Sequence, residues 1–236
     1  MRRVVAQVAL REGAPETERA RVAGVLAACA GAKGPVSRSH AGVHHPGSVG
    51  GGDVTWDLLF VDDEAVREFC EQAGDVGAER LLDAIGLEAA SVAPLVEFVI
   101  AAIPEPLGCE ISQPGLTGVK RTLWLEVQPD APEDLVREFE REMPCLANAV
   151  PAIRNWSWSR IRTAAPNPMT TRFTHLWEQE FETLDGLEVD YMSSPFHWGF
   201  FDRWFDPEMP DPIVDTRVGH LVCPATESVL SWESER

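Results

Sequence analysis

The sequence has few cysteines and no long hydrophobic run, and each shortage excludes a class of protein. The five cysteines are widely spaced and form no CxxC pair, which argues against a disulfide framework or a zinc ribbon. No stretch reaches the roughly 18 apolar residues that a membrane-spanning helix needs. The apolar run near the N-terminus is too short for a secretory signal peptide. These absences lead us to expect a cytoplasmic protein with reduced thiols.

Basic residues are also scarce. The chain carries 38 acidic and 20 basic residues, for a formal net charge of -18. Such a charge repels phosphate backbones and anionic lipid surfaces, so neither nucleic acid nor a membrane is expected as the main partner. The charge leaves a small-molecule substrate open, and it also has the simpler reading of keeping the protein soluble.

The hydrophobic pattern of the first half indicates alternating strands and helices. With 236 residues, of which 44% are hydrophobic, the chain is long enough for two small domains with separate cores. Period-two or buried apolar runs predict strands, and three- and four-residue spacing predicts helices. The predicted strands of this half cover residues 4–10, 54–61 and 94–103, its helices cover 15–30, 62–70 and 78–90, and residues 40–52 read as a loop.

The second half repeats this order after a segment rich in proline and glycine, residues 105–118, that we interpret as a linker. Its predicted strands cover residues 119–127, 152–163, 172–181 and 213–224, and its helices cover residues 130–146 and 184–192. The sequence therefore predicts a degenerate half without the candidate site residues (1–104), the linker, a half that contains the predicted active site (119–224) and a C-terminal tail (225–236).

Both halves therefore approach a β-α-β-β-α-β order, the ferredoxin-like split βαβ unit of the α+β class, although the first half is less regular at its second strand. Such a unit covers only one face of its sheet with helices. We therefore expect the two ferredoxin-like halves to pack sheet to sheet as an intrachain dimeric α+β barrel. This arrangement would be a pseudo-dimer within one chain, with further homodimerisation left open.

Residues 173–197 contain the side chains best suited to chemistry. Strand alternation places His175, Trp177 and Gln179 on one face of the predicted strand over residues 172–181. Tyr191 is the only tyrosine of the chain, and His197 follows it within a stretch crowded with phenylalanine and tryptophan. Aromatic walls with a few polar groups are typical of a ligand pocket.

The segments FTHLWEQEF and DYMSSPFHWGFFD resemble the stress-responsive dimeric α+β barrel (Dabb) family, to which a plant polyketide cyclase belongs. The resemblance covers residues 119–224 and matches His175, Tyr191 and His197 to a strand histidine, a tyrosine and a later histidine of that cyclase. Arg121 stands where the cyclase has a first-strand histidine. The first half lacks the motif, and Trp56 stands near the place of His175.

The resemblance implies a cofactor-independent enzyme, with no metal, that moves protons during an aldol-type ring closure of a polyketide-like substrate. By analogy, His197 is the base, Tyr191 its partner or oxyanion donor, and His175 an orienter or second donor. Arg121 is expected to bind a carboxylate or enolate oxygen. The other expected substrate contacts are Leu123, Trp177, Gln179, Phe196 and Trp198.

Other readings of the same residues stay open. The pocket suits a non-catalytic stress or ligand-binding protein, and a related barrel activity, cofactor-free oxygenation or haem handling, is a third possibility. His175, Tyr191 and His197 each have a purely structural alternative, which is the preferred reading for His220. The loop with His40, His44 and His45 is a poor metal site, because it is glycine-rich and has no nearby carboxylate.

Overall fold

A computed structural model describes residues 2–30, 34–73, 82, 91–163 and 172–233 of the chain. The chain divides into two compact units. The first contains residues 1–105 and 161–172, and the second contains residues 106–160 and 173–236. The predicted helix over residues 78–90 lies, apart from residue 82, outside the described residues.

Four antiparallel strands form the sheet of the first unit, in the spatial order β2-β3-β1-β4. The strands are β1 (Arg3–Leu10), β2 (Val36–Val43), β3 (Val54–Phe60) and the first part of β4 (Val96–Ile111). The helices described are α1 (Glu16–Ala27), α2 (Asp63–Ala73) and a 3-10 turn (Ala93–Leu95). This strand order is that of the ferredoxin-like split βαβ unit.

The helix-side core of the first unit is built from alternate residues of β1 and β3. Val4, Ala6 and Val8 are fully buried, as are Trp56 and Leu58 across the register. Burial of each large apolar side chain stabilises a fold by about 1.5–3 kcal/mol. Every residue of β1 and β3 is buried, as expected for the apolar runs that predicted these two strands.

Two features of this unit differ from the sequence prediction. β2 occupies residues 36–43, which overlap the predicted loop, because an edge strand with one neighbour tolerates the polar sequence VSRSHAGV. β4 continues to Ile111, through the first part of the predicted linker. Pro104 and Pro106 stand two residues apart, so their missing N–H groups fall on one edge of the strand and the other edge keeps its donors.

The second unit repeats the strand order as β6-β7-β5-β8. The α+β class and the ferredoxin-like halves are thereby confirmed. The strands are β5 (Gly118–Leu125), β6 (Asn155–Thr163), β7 (His175–Phe181) and β8 (Gly219–Ala225), and the α-helices described are α3 (Glu133–Glu142) and α4 (Cys145–Ala149). Short π and 3-10 turns follow at Gly186–Tyr191, His197–Phe201, Asp202–Trp204 and Leu230–Glu233.

The register of this sheet decides which side chains meet. Arg121 of β5 lies opposite Gln179 of β7, and Leu123 lies opposite both Trp177 of β7 and His220 of β8. Directly paired residues point to the same face of a sheet. These five side chains therefore share the face on which α3 and α4 pack.

Residues 228–230, within the predicted tail, are an integral part of the second unit. The buried carboxylate of Glu180 accepts hydrogen bonds from Ser228 Oγ (2.6 Å) and from the backbone N–H groups of Val229 (2.9 Å) and Leu230 (3.2 Å). Asn155 Nδ2 donates a further bond of 2.7 Å to the same carboxylate. The final 3-10 turn is thus held by a buried anion at its N-terminus.

The helices of the described residues are all too short or too polar to cross a bilayer. No disulfide joins the four cysteines whose side chains are described.

Candidate functional site

A cavity of about 270 Å³ lies on the helix side of β5, β7 and β8 in the second unit. Its volume is close to the lower end of the range for small-molecule pockets, about 300 Å³. The polar lining residues are Arg121, Tyr191, His197, Asp202, Thr216 and His220. The apolar walls are Leu123, Met143, Leu146, Trp177, Phe201, Phe205 and Val218.

Arg121 is the buried cation of this cavity, and its side chain is held by neutral groups. Nε donates to Nε2 of His220 (2.9 Å), and Nη1 donates to Oε1 of Gln179 and to the hydroxyl of Tyr191 (3.0 Å). Among the described residues, no carboxylate oxygen lies within 4.0 Å of the guanidinium. Because arginine stays protonated in proteins, the cavity contains an uncompensated positive charge.

Tyr191 ends the first π-helical turn, where the amide of Met192 bonds to the carbonyl of Leu187, five residues earlier. Such turns recur at functional sites because they displace a side chain from the regular helical face. Burial raises the pKa of Tyr191, and the nearby Arg121 only partly opposes this shift. Its oxygen accepts the bond from Arg121, so the hydroxyl proton is available to a ligand.

His197 begins the second π-helical turn, and its ring centroid lies 4.6 Å from that of Tyr191. Burial, together with the positive charge of Arg121, lowers the pKa of His197 to about 4. The imidazole is therefore neutral at pH 7 and able to accept a proton. Neither ring nitrogen has a hydrogen-bond partner among the residues that the structure describes.

His220 also belongs to the site, although the sequence favoured a purely structural role for it. Since its Nε2 accepts from Arg121, its proton is on Nδ1. Burial first, and then Arg121, lowers the pKa of His220 to about 3. The signal that identifies it is its pairing with Leu123, which lies two residues from Arg121 on β5 and therefore on the same face of the sheet.

Asp202 also lines the cavity and was missed in the sequence. Its pKa is raised by burial and by the neighbouring Asp206. An ion pair with Arg121 would lower the pKa of this carboxyl instead. No spacing in the aromatic segment distinguishes Asp202 from its neighbours.

His175 does not line the cavity. Its Nε2 lies 3.1 Å from Oε1 of Glu140 on α3, and its Nδ1 lies 2.9 Å from the hydroxyl of Thr174. The ring stacks on Trp158 with centroids 5.0 Å apart, and burial lowers its pKa against the opposing effect of Glu140. The contacts of His175 are those of a residue that ties α3 to the sheet.

The other predicted contacts divide into two groups. Leu123 and Trp177 line the cavity, and Gln179 reaches it indirectly by holding Arg121. Phe196 instead stacks on Phe200 with centroids 4.8 Å apart. Trp198 is 52% exposed, and neither it nor Phe196 is part of the cavity lining.

The histidine loop of the first unit makes contacts of a structural kind. His44 bonds through its two ring nitrogens to the carbonyl of Gly52 (3.1 Å) and to the hydroxyl of Thr55 (2.9 Å). In the described part of the chain, no group of three or more histidine, cysteine, aspartate or glutamate side chains is placed to hold a metal ion.

Fold and cavity together describe an α+β protein whose C-terminal ferredoxin-like half contains a partly polar cavity close to small-molecule size. Residues 119–217 match the sequence model of the Stress responsive A/B Barrel Domain family. The C-terminal half is therefore a stress responsive A/B barrel (Dabb) domain. A search of curated proteins gave no match.

Solved structures support the fold over the whole chain. An anthrone oxidase-like protein aligns with a TM-score of 0.59 at 12% identity, covering 95% of this chain and 91% of its own. A candidate monooxygenase from Fusobacterium nucleatum aligns with a TM-score of 0.57 at 10% identity, covering 95% and 92%. At these identities the likeness shows the fold, and function has to be argued from the site.

Proposed function

We propose that the C-terminal half is a cofactor-independent enzyme that transfers protons on a small carbonyl compound and so promotes aldol-type cyclisation or isomerisation. The observation that carries this proposal is that a neutral His197 packs against the ring of Tyr191, whose hydroxyl accepts a hydrogen bond from the charged Arg121, in one largely apolar cavity. A base, an oxyanion donor and a fixed positive charge are the groups that enolate chemistry requires.

The residues divide the reaction as follows. His197 removes a proton from the carbon next to the substrate carbonyl and becomes an imidazolium. The electron pair moves onto the carbonyl oxygen, where the hydroxyl of Tyr191, polarised by Arg121, donates to the developing oxyanion. In a ring closure, the enolate carbon then attacks a second carbonyl of the same molecule. His197 returns its proton to the alkoxide that forms, so the enzyme ends unchanged.

The base can be tested before the physiological substrate is identified. Small aryl methyl ketones are incubated with the protein in D₂O, and deuterium entering the methyl group is followed by NMR. We expect exchange above the buffer rate with the native protein and loss of that excess in His197→Asn. His45→Asn, a half-buried histidine of the first unit, is the matched control and should keep the native rate. Unchanged exchange in His197→Asn would show that another group is the base.

Removal of a single hydroxyl tests the oxyanion donor. Tyr191→Phe keeps the ring that packs on Phe181, with centroids 6.0 Å apart, so the variant should fold. We expect its exchange rate constant to fall by about 10²–10³, as when one oxyanion donor is removed, while KM changes little. A rise in KM at constant kcat would instead assign Tyr191 to ground-state binding.

One observation favours a second function, the binding of a small ligand without catalysis. A histidine with a pKa of about 4 is a weak base, and the cavity alone suffices for sequestration. Saturable ligand binding with no deuterium exchange in any ketone would support this alternative. Exchange accompanied by oxygen consumption would instead indicate the cofactor-free oxygenation.

A further inference from the structure

We propose that the substrate is a small monocarboxylate whose carboxylate binds Nη2 of Arg121 while its apolar body packs on Leu123, Met143 and Phe201. This inference specifies the substrate of the function proposed above. It rests on that function only where it calls the bound molecule the substrate. The acid group would be distinct from the carbonyl that reacts.

The first argument is the charge of Arg121. Its side chain is 4% exposed, and a buried cation is stable only when it is compensated by an anion or by hydrogen bonds. His220, Gln179 and Tyr191 supply neutral dipoles but no negative charge. A ligand anion would supply the charge that these partners lack.

The second argument concerns which nitrogens of the Arg121 guanidinium already make hydrogen bonds. Nε and Nη1 are occupied by the three neutral partners, whereas Nη2 makes no hydrogen bond to a described residue, and Arg121 lines the cavity. The neutral partners hold the planar group in one orientation, so little entropy is lost when a carboxylate binds. His220 is therefore a positioning residue, and Tyr191 stays available for the enolate oxygen.

Asp202 does not remove this charge. It lines the same cavity, but burial and Asp206 raise its pKa, which is the opposite of what a close cation does to a carboxyl. Nor does its carboxylate form an ion pair with Arg121, since no carboxylate oxygen of a described residue lies within 4.0 Å of that guanidinium. The positive charge of Arg121 thus faces a cavity whose walls are largely apolar, with Tyr191, His197, Asp202, Thr216 and His220 as the other polar lining residues.

Cavity size limits the rest of the ligand. A volume of about 270 Å³ admits one ring or a short chain rather than a long fatty acid or a dinucleotide. Apolar walls favour an aryl or alkyl body over a sugar. These limits define the probes for the experiment.

The test compares acids with their neutral isosteres. Calorimetry measures the affinity of benzoate, phenylacetate and hexanoate against benzamide, phenylacetamide and hexanamide. For at least one pair, we expect the acid to bind about tenfold or more tightly, as for a charge-assisted hydrogen bond. The preference should disappear in Arg121→Gln and persist in the surface control Arg137→Gln.

Arg121→Lys protects the test against misfolding, because it keeps a charge at the site and should retain part of the acid preference. The proposal is overturned if acids and amides bind equally to the native protein, if the preference survives in Arg121→Gln, or if none of the three acids binds at millimolar concentration. Acid-selective binding without deuterium exchange in keto acids upholds this inference and contradicts the proposed enzyme. Exchange in neutral ketones that bound acids do not inhibit contradicts this inference alone.

Discussion

The two halves of the chain have the same strand order but different helix-side cores. In the first, aliphatic and aromatic side chains fill the described core, and the polar Ser39 there is satisfied by the indole of Trp56 and the carbonyl of Leu26. In the second, Arg121, Tyr191 and His220 occupy the same side of the sheet and border a cavity. The first half shows that the fold does not need these polar groups, so we attribute their presence in the second half to the ligand site proposed above rather than to stability.

The largest expected effect comes from adding a buried positive charge to the core of the first unit, compared with removing one from the second. Ala6→Arg places a guanidinium in the fully buried, apolar core of the first unit. We expect it to cost at least about 4 kcal/mol and to prevent stable folding of that half, since no cavity or polar partner receives the charge. Arg121→Met should change the free energy of unfolding by no more than about 2 kcal/mol.

Urea unfolding monitored by circular dichroism measures both variants. Equal destabilisation by the two substitutions would show that Arg121 is a structural residue, and the contrast between the halves would lose its functional meaning.

An intermediate effect concerns the histidines. Burial lowers the pKa of His44 in the first unit to about 4, and it likewise lowers the pKa of His197 and His220 in the second unit. The positive charge of Arg121 contributes to the shifts of His197 and His220 but not to that of His44. Arg121→Gln should therefore raise the pKa of His197 and His220 and leave that of His44 unchanged. Histidine ring resonances followed by NMR across the acid range give the three values. Equal movement of all three would mean a general loosening of the fold.

The same shifts give the protein a defined acid sensitivity. Each of these histidines has a lower pKa in the folded chain than the ordinary 6.5, so the unfolded chain takes up protons first. Their contribution to stability is complete above about pH 6.5 and is lost as the pH falls to about 4 for His44 and His197, and to about 3 for His220. Arg121→Gln should lose less stability over that interval than the native protein, provided that it folds.

The smallest expected effect is that of Trp198→Ala. The sequence predicted a substrate contact here, but the side chain is 52% exposed and outside the cavity lining. We expect ligand affinity to change less than about twofold, in keeping with a residue outside the binding core. Calorimetry with the best acid of the panel provides the measurement, and a tenfold loss would place Trp198 in the site.

β1, β3, β5 and β7 were predictable because runs of β-prone residues mark the first three strands and alternation marks β7. β2 was not, since its polar residues and glycine resemble a loop until an edge strand is paired with β3. His197 and Tyr191 carried a motif. His220 and Asp202 became visible only through the strand register and the chain path beyond the second π-helical turn. Phe196 and Trp198 were predicted as contacts because their segment is rich in aromatic residues, and composition does not show which rings the second π-helical turn directs towards the cavity.

The buried bonds of Glu180 to residues 228–230 bear on how the chain is made. The strand that carries Glu180 is synthesised nearly fifty residues before three of its four hydrogen-bond donors, which belong to residues 228–230; the fourth donor, Asn155, precedes it. Until then this carboxylate must stay hydrated or find temporary partners, because an unpaired buried anion is costly. The second unit is therefore expected to complete its folding only after residues 228–230 have been synthesised, whereas the described strands of the first unit are synthesised well before that point.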